Sequence, residues 1–312
     1  MKSLYLPVGL IISFIIAWIL PEPGSLLKEL GLIPWMVVII FLINGYQTNL
    51  SELPKDRSFL YALIIGGFIS LIVSPFIGLG VSELLALPAG IALGIIVKST
   101  VPPTLSTCIV MTQITNGYPL WALVMTVILN IVGVFTIPFM LGLTMESAGN
   151  ITIEPLPLLK TLVLLVLVPF MVGVLAKRVS TVDPKNLILQ YLPSTCVITT
   201  VWMALSDSNE LFQNLEISTL LKIAVAILLI HFSLMILSYL TSIGLKLDPG
   251  ARLAMLFTIS QKTLPVAISV LAALNMPIGE AILACVLFHF LMLFTDSMIA
   301  PKLKISGEET SA

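Results

Sequence analysis

Lys98-Ser99-Thr100-Val101-Pro102-Pro103-Thr104-Leu105-Ser106-Thr107 lies inside an otherwise apolar run. A proline within a helix removes a backbone hydrogen bond and clashes with the carbonyl one turn back. The residue before it is driven out of the helical region. In hydrocarbon an unsatisfied backbone group is costly, so broken helices persist only inside protein or beside a watery cavity. A lysine at membrane depth costs at least ~2.5 kcal/mol on insertion scales. The apolar run starts near Leu87, about a dozen residues before Lys98, or roughly 18 Å of helix, which leaves the ammonium near mid-bilayer. Gln261-Lys262-Thr263-Leu264-Pro265 repeats the pattern 163 positions later, with Pro265 over Pro102 and Thr263 over Thr100. Two spanning helices are therefore predicted to break at mid-depth, with the two breaks forming one solute-binding centre. The plainer alternative is that each lysine snorkels to a headgroup and each proline is only a kink.

The rest of the composition agrees with a membrane setting. Of 312 residues, 58% are hydrophobic and 10% charged, with a mean hydropathy of +1.11. These values predict an all-α polytopic membrane protein. No loop carries a basic cluster, so nucleic acid is not an expected partner. The N-terminal apolar run lacks a small-residue cleavage site and reads as a first span rather than a removed signal peptide. Cys108, Cys196 and Cys285 are widely spaced within apolar runs. That spacing argues against a disulfide framework and against a metal site.

A crossing needs ~20 mostly apolar residues. Ten such runs are predicted: 4–20, 33–50, 59–82, 87–115, 119–143, 156–177, 189–205, 219–245, 250–275 and 277–300. Turn signals such as Pro21-Glu22-Pro23-Gly24, Asn116-Gly117 and Asp248-Pro249-Gly250 separate them. With a cytoplasmic N-terminus, ten basic residues fall inside and only Lys28, Lys160 and Lys222 outside, so both termini are expected in the cytoplasm. Ten spans in two halves give five per half, and an odd number turns the second half upside down. The expected organisation is two inverted five-helix repeats, residues 1–150 and 151–301, followed by a cytoplasmic tail, 302–312. Secondary transporters commonly use such repeats, with sites at mid-membrane between broken helices. The same offset puts Asn44 over Asp207 and Gln47 over Glu210, although Asp207 and Glu210 read more simply as a span end.

Several side chains around the breaks could carry chemistry. Lys98 and Lys262 would present fixed positive charge to an anionic solute. Ser99, Thr100, Thr104, Gln261 and Thr263 add hydroxyls and an amide, and His289 on the last span adds an imidazole. Ser106, Thr107 and Ser260 offer oxygens to a coupling ion. Thr126 and Asn130 lie four apart on one helix face and could aim at the first break. The alternative for the hydroxyls is that they cap half-helices and bond within the bundle. Asn44, Gln47, His231, Thr295 and Asp296 are secondary candidates. No catalytic motif occurs in a suitable context, so an enzyme is not expected.

Ile33-Pro34-Trp35 and Gly45-Tyr46-Gln47-Thr48-Asn49-Leu50 resemble the second span of the bile acid:sodium symporter superfamily. Pro102-Pro103, Ser106-Thr107, Thr112, Gly117, Gln261-Lys262-Thr263-Leu264 and His289 resemble its divergent branch, which includes the seventh member of human solute carrier family 10. The similarity covers nearly the whole chain. It implies ten spans in a panel domain and a core domain, with helices four and nine crossing at their breaks, and alternating access. One departure stands out. Sodium-coupled relatives carry a glutamate in the ninth-span break, where this chain has Ser260-Gln261-Lys262. Two like charges about 4 Å apart repel by about 4 kcal/mol at an effective dielectric of about 20, so a charged Lys262 disfavours Na⁺ beside it.

The expectation is a secondary active transporter of a small, anionic organic solute in the plasma or inner membrane. Lys98, Ser99, Thr100, Thr104, Gln261, Lys262, Thr263 and His289 would contact the solute. Ser106, Thr107, Thr126, Asn130 and Ser260 would hold a coupling ion, Na⁺ or H⁺, with no other cofactor. A non-transporting membrane regulator of the calcium-homeostasis type on the same fold is the alternative, as is an auxin-efflux-type carrier.

Overall fold

Leucine, isoleucine and valine dominate the long apolar runs, and proline and aspartate decide where the helices begin. In the computed structural model, residues 2–48, 54, 56–147, 154–180, 182–183, 186–206, 216–274 and 278–305 are described. No strand occurs among them. The helices are α1 (Lys2–Ile19), α2 (Pro21–Glu29), α3 (Leu32–Gln47), α4 (Arg57–Leu84), α5 (Ala89–Thr100) and α6 (Thr107–Ile114). They continue as α7 (Pro119–Ser147), α8 (Pro155–Val179), α9 (Leu187–Ser206), α10 (Ile217–Gly244), α11 (Pro249–Ser260), α12 (Leu264–Ala273) and α13 (Gly279–Ile299).

Among the described residues each of the ten apolar runs is largely helical, and the runs 87–115 and 250–275 are interrupted. Among the described residues, seven helices have the length and composition to cross a membrane, counting α11 and α12 as one. The α1–α2 pair, bent by 100° at Leu20, makes an eighth. The helices α3 and α5 are apolar but shorter. The chain is thus an all-helical polytopic membrane protein. The expected repeat boundary at 150/151, Asp207, Glu210 and the tail beyond Ile305 lie outside the described residues.

Caps fix the helix ends. Asp56 accepts from the Ser58 backbone N–H at 3.2 Å and from its hydroxyl, and the hydroxyl above all holds this exposed carboxyl below the usual carboxylate range. Asp248 caps α11 through the Ala251 N–H at 3.0 Å, with Pro249 in the first turn. Asn116 and Lys246 adopt left-handed backbone just past α6 and α10. That turn lets Gly117 N–H reach back to the Thr112 carbonyl and Leu247 N–H to that of Ser242.

Two helix groups result. One consists of α1, α2, α3, α8 and α9; the other of α4, α5, α6, α7, α10, α11 and α13. The α12 segment touches both. In the first group α3 and α8 approach backbone to backbone: a Cβ at Gly45 would lie 2.0 Å from the Phe170 carbonyl oxygen, and one at Gly173 2.0 Å from that of Leu42. In the second, α11 is buried almost all round, which suits its lack of a polar face. A π-helical turn, Ile69–Val73, interrupts α4 just before Pro75. There the Ser74 N–H bonds to Ile69 O, five residues back, and Pro75 has no N–H to give. The Ser70 carbonyl is left with no donor from its own helix.

Candidate functional site

The α5 helix stops at Thr100, ahead of Pro102-Pro103, and the chain resumes as α6 at Thr107. The α11 helix stops at Ser260, and α12 begins at Leu264 with Pro265 in its first turn. The extended residues between the half-helices meet. Thr263 N–H donates to the Pro102 carbonyl at 2.9 Å, joining the two breaks through their backbones.

Both lysines are wholly buried beside this junction. The Lys98 ammonium donates to the Lys262 carbonyl at 2.9 Å. The Lys262 ammonium donates to the Ser70 carbonyl at 2.6 Å and to the Ser70 hydroxyl at 3.0 Å. The carbonyl left open by the π turn in α4 is therefore met by the Lys262 side-chain donor from the second break. Each lysine ties together chain segments far apart in sequence, where a missing donor would leave a buried carbonyl unmet.

A polar chain runs beneath the breaks. The Thr104 and Thr107 hydroxyls donate to Gln261 Oε1 at 2.8 and 2.6 Å. Gln261 Nε2 donates to Asp296 Oδ2 at 2.7 Å. Asp296 Oδ1 lies 2.9 Å from His231 Nε2, and His231 Nδ1 lies 3.3 Å from the Ser260 carbonyl. Gln261, Asp296 and His231 are fully buried. On the other side Asn130 Nδ2 donates to the Pro103 carbonyl at 3.0 Å, while its Oδ1 is buried without a partner. Thr126 Oγ1 lies 3.1 Å from Cys108 Sγ. Ser99 and Thr100 bond back to carbonyls of their own helix, at 2.8 and 2.7 Å.

Above the junction opens a cavity of about 280 Å³. Thr104, Leu105, Ser106 and Thr107 of the first break and Thr263, Leu264 and Pro265 of the second form one side. Asn44 and Gln47 of α3, with Pro193 and Ser194 of α9, form the other. The cavity thus lies between the two helix groups. His289 of α13 also lines it, with both ring nitrogens outside hydrogen-bonding geometry.

The predicted solute residues divide accordingly. Thr104, Thr263 and His289 line the cavity, whereas Lys98, Ser99, Thr100, Gln261 and Lys262 lie behind its wall. Of the coupling-ion set, Ser106 and Thr107 line it, Thr126 and Asn130 brace the first break from α7, and Ser260 offers its carbonyl to His231. Ser70 was not among the predicted residues, and His231 and Asp296, secondary candidates by sequence, lie in the polar chain beneath the breaks. Ser70 was discoverable, because a proline five residues on removes the donor its carbonyl needs in a π turn. The His231–Asp296 contact joins residues 65 apart, and no local pattern announces it.

Residues 5–305 match the SBF-like CPA transporter family. The chain belongs to that family. Among relatives of this SBF-like chain is a rice protein (Oryza sativa subsp. indica) named "Probable sodium/metabolite cotransporter BASS4, chloroplastic". It is 26% identical over 317 residues, covering 96% of this chain and 75% of the relative. The Arabidopsis thaliana protein of the same name is 25% identical, covering 98% of this chain and 74% of its own length. The SBF-like match makes this a transporter-type protein and not an enzyme.

Proposed function

We propose that this chain is a secondary active transporter that moves a small organic anion by alternating access. A cavity between two helix groups, floored by two interrupted helices that touch, carries this reading. Such a site can face either side of the membrane if the groups rock against one another about it. On this reading α1, α2, α3, α8 and α9 are the panel, the remaining helices are the core, and ten crossings form two inverted repeats with both termini cytoplasmic.

The preference for an anion is electrostatic. The N-termini of α6 and α12 open on the cavity, and their partial positive charge favours a carboxylate or similar group. Among the described residues no carboxylate lines the cavity. Behind the wall two lysines stand against one aspartate, Asp296. In this state the lysines act through their field, while Thr104, Thr263 and His289, with Asn44 and Gln47, are the groups placed for contact. The plant relatives are named for sodium and a metabolite, which supports cation-driven uptake of a small solute as the class of activity.

Thermal stabilisation of the purified protein against a panel of small organic anions tests this. A ligand at about 100 times its dissociation constant adds ~2.7 kcal/mol. The expected outcome is stabilisation by at least one anion, weakened in His289→Leu and Thr263→Val. No stabilisation by any anion, or stabilisation indifferent to both substitutions, contradicts the assignment.

A further inference from the structure

We propose that the buried His231–Asp296 pair is a proton-binding site, and that the cation coupled to solute movement is H⁺ held there. This rests on the transport reading above. A carbonyl oxygen only accepts, so His231 Nδ1, facing the Ser260 carbonyl at 3.3 Å, carries a hydrogen. Thr104 and Thr107 both donate to Gln261 Oε1, which turns the amide N–H of Gln261 toward Asp296 Oδ2. One contact remains: His231 Nε2 to Asp296 Oδ1 at 2.9 Å. With an ionised carboxylate, Nε2 must carry a second ring hydrogen. With a neutral ring, the carboxyl must carry it. Either way the pair holds one proton more than a neutral imidazole plus a carboxylate.

Loss of that proton leaves the ring one N–H for two acceptors. Either the Ser260 carbonyl or the carboxylate then loses its donor. Ser260 is the last residue of α11, directly before the second break, and Gln261 carries the other carboxylate oxygen's contact to two threonines of the cavity wall. Proton loading is thus tied mechanically to both breaks.

The ionisable groups on the elements packed around the pair are few. Lys262 on the second break and Lys98 on α5 are basic, and Cys108, Cys285 and His289 are buried on α6 and α13. Arg57, Glu83, Lys222, Arg252 and Glu280 sit at the ends of α4, α10, α11 and α13, Lys302 lies exposed on the 3-10 turn that continues α13, and Tyr61 and Tyr239 are exposed. Tyr191 and Cys196 belong to α9, in the other helix group. Charge on either lysine opposes an added proton, and an anion in the cavity offsets that charge. Anion and proton therefore favour one another's binding, the linkage a symporter requires.

The chain has two histidines, so ¹⁵N-histidine labelling of the full chain in lipid nanodiscs, with His289→Gln, isolates His231. Raising the pH should remove one proton from the pair, seen in the ring signals or in the ¹³C signal of the Asp296 carboxyl. In Asp296→Asn the amide can accept from Gln261 and donate to a bare Nε2. His231 should then stay neutral, with its hydrogen on Nδ1, at every pH. A wild-type ring fixed in that same neutral form while the Asp296 carboxyl, followed by its own ¹³C signal, stays ionised throughout overturns the proposal, whether or not the variant folds. In vesicles, with small carboxylates as probes, uptake should follow an inward pH gradient. About one pH unit supports at most roughly tenfold accumulation of a monoanion, and Asp296→Asn should abolish that accumulation. Uptake driven by Na⁺ alone and unchanged by Asp296→Asn overturns the proton site. Absence of uptake under every gradient counts against the transport reading instead, and the ring titration then decides the proton site by itself.

Discussion

Gln261 is the residue on which the two breaks depend most closely. Its carbonyl oxygen is buried and accepts from two hydroxyls, those of Thr104 and Thr107. Replacing either threonine by valine leaves one donor in place. Replacing both leaves the oxygen unsatisfied, which costs about 1–3 kcal/mol. The double substitution should therefore lower stability by more than the sum of the singles, read by thermal or denaturant unfolding in detergent as a double-mutant cycle. Strict additivity would mean that the amide does not depend on this pair. Much at this scale could be read from the sequence. Pro102-Pro103 and Pro265 mark the breaks, and Thr104, Thr263 and His289 fall on the cavity. The partners of the lysines could not be read, because a lysine in an apolar run reveals its desolvation cost but not which distant carbonyl offsets it. Lys262 reaches Ser70, 192 positions away.

At the scale of elements, one proline in α4 prepares a carbonyl for another helix's ammonium group. Pro75 removes the N–H that would close the π turn on Ser70, and Lys262 supplies the donor instead. Pro75→Ala restores a backbone donor, lets α4 return toward ordinary α geometry and draws the Ser70 carbonyl back to Ser74. The protein should still fold as a helical bundle, but Lys262 would lose its principal acceptor. Uptake and thermal stability should both fall; unchanged values for both would show that the π turn does not serve the junction. The ten helical runs were legible because apolar length and turn residues suffice to mark them. The shortness of α3 and α5 was not. For α5 the reason is local: the same prolines that break the span end its first half after 12 residues.

For the molecule as a whole, the proposed alternating-access cycle requires that the two helix groups move about the cavity between them. The wall formed by α3 and the wall formed by the first break belong to different groups, and Asn44 and Ser106 lie on opposite sides of the space. The three native cysteines are unpaired and buried, so they can be replaced to give a background for placed thiols. The most direct measurement is solute uptake by an Asn44→Cys, Ser106→Cys protein, bridged by a short bifunctional thiol reagent and then released by reduction. Uptake should be lost on bridging and recovered on reduction. Full uptake with the two walls held together would contradict the claim that this cavity is the route.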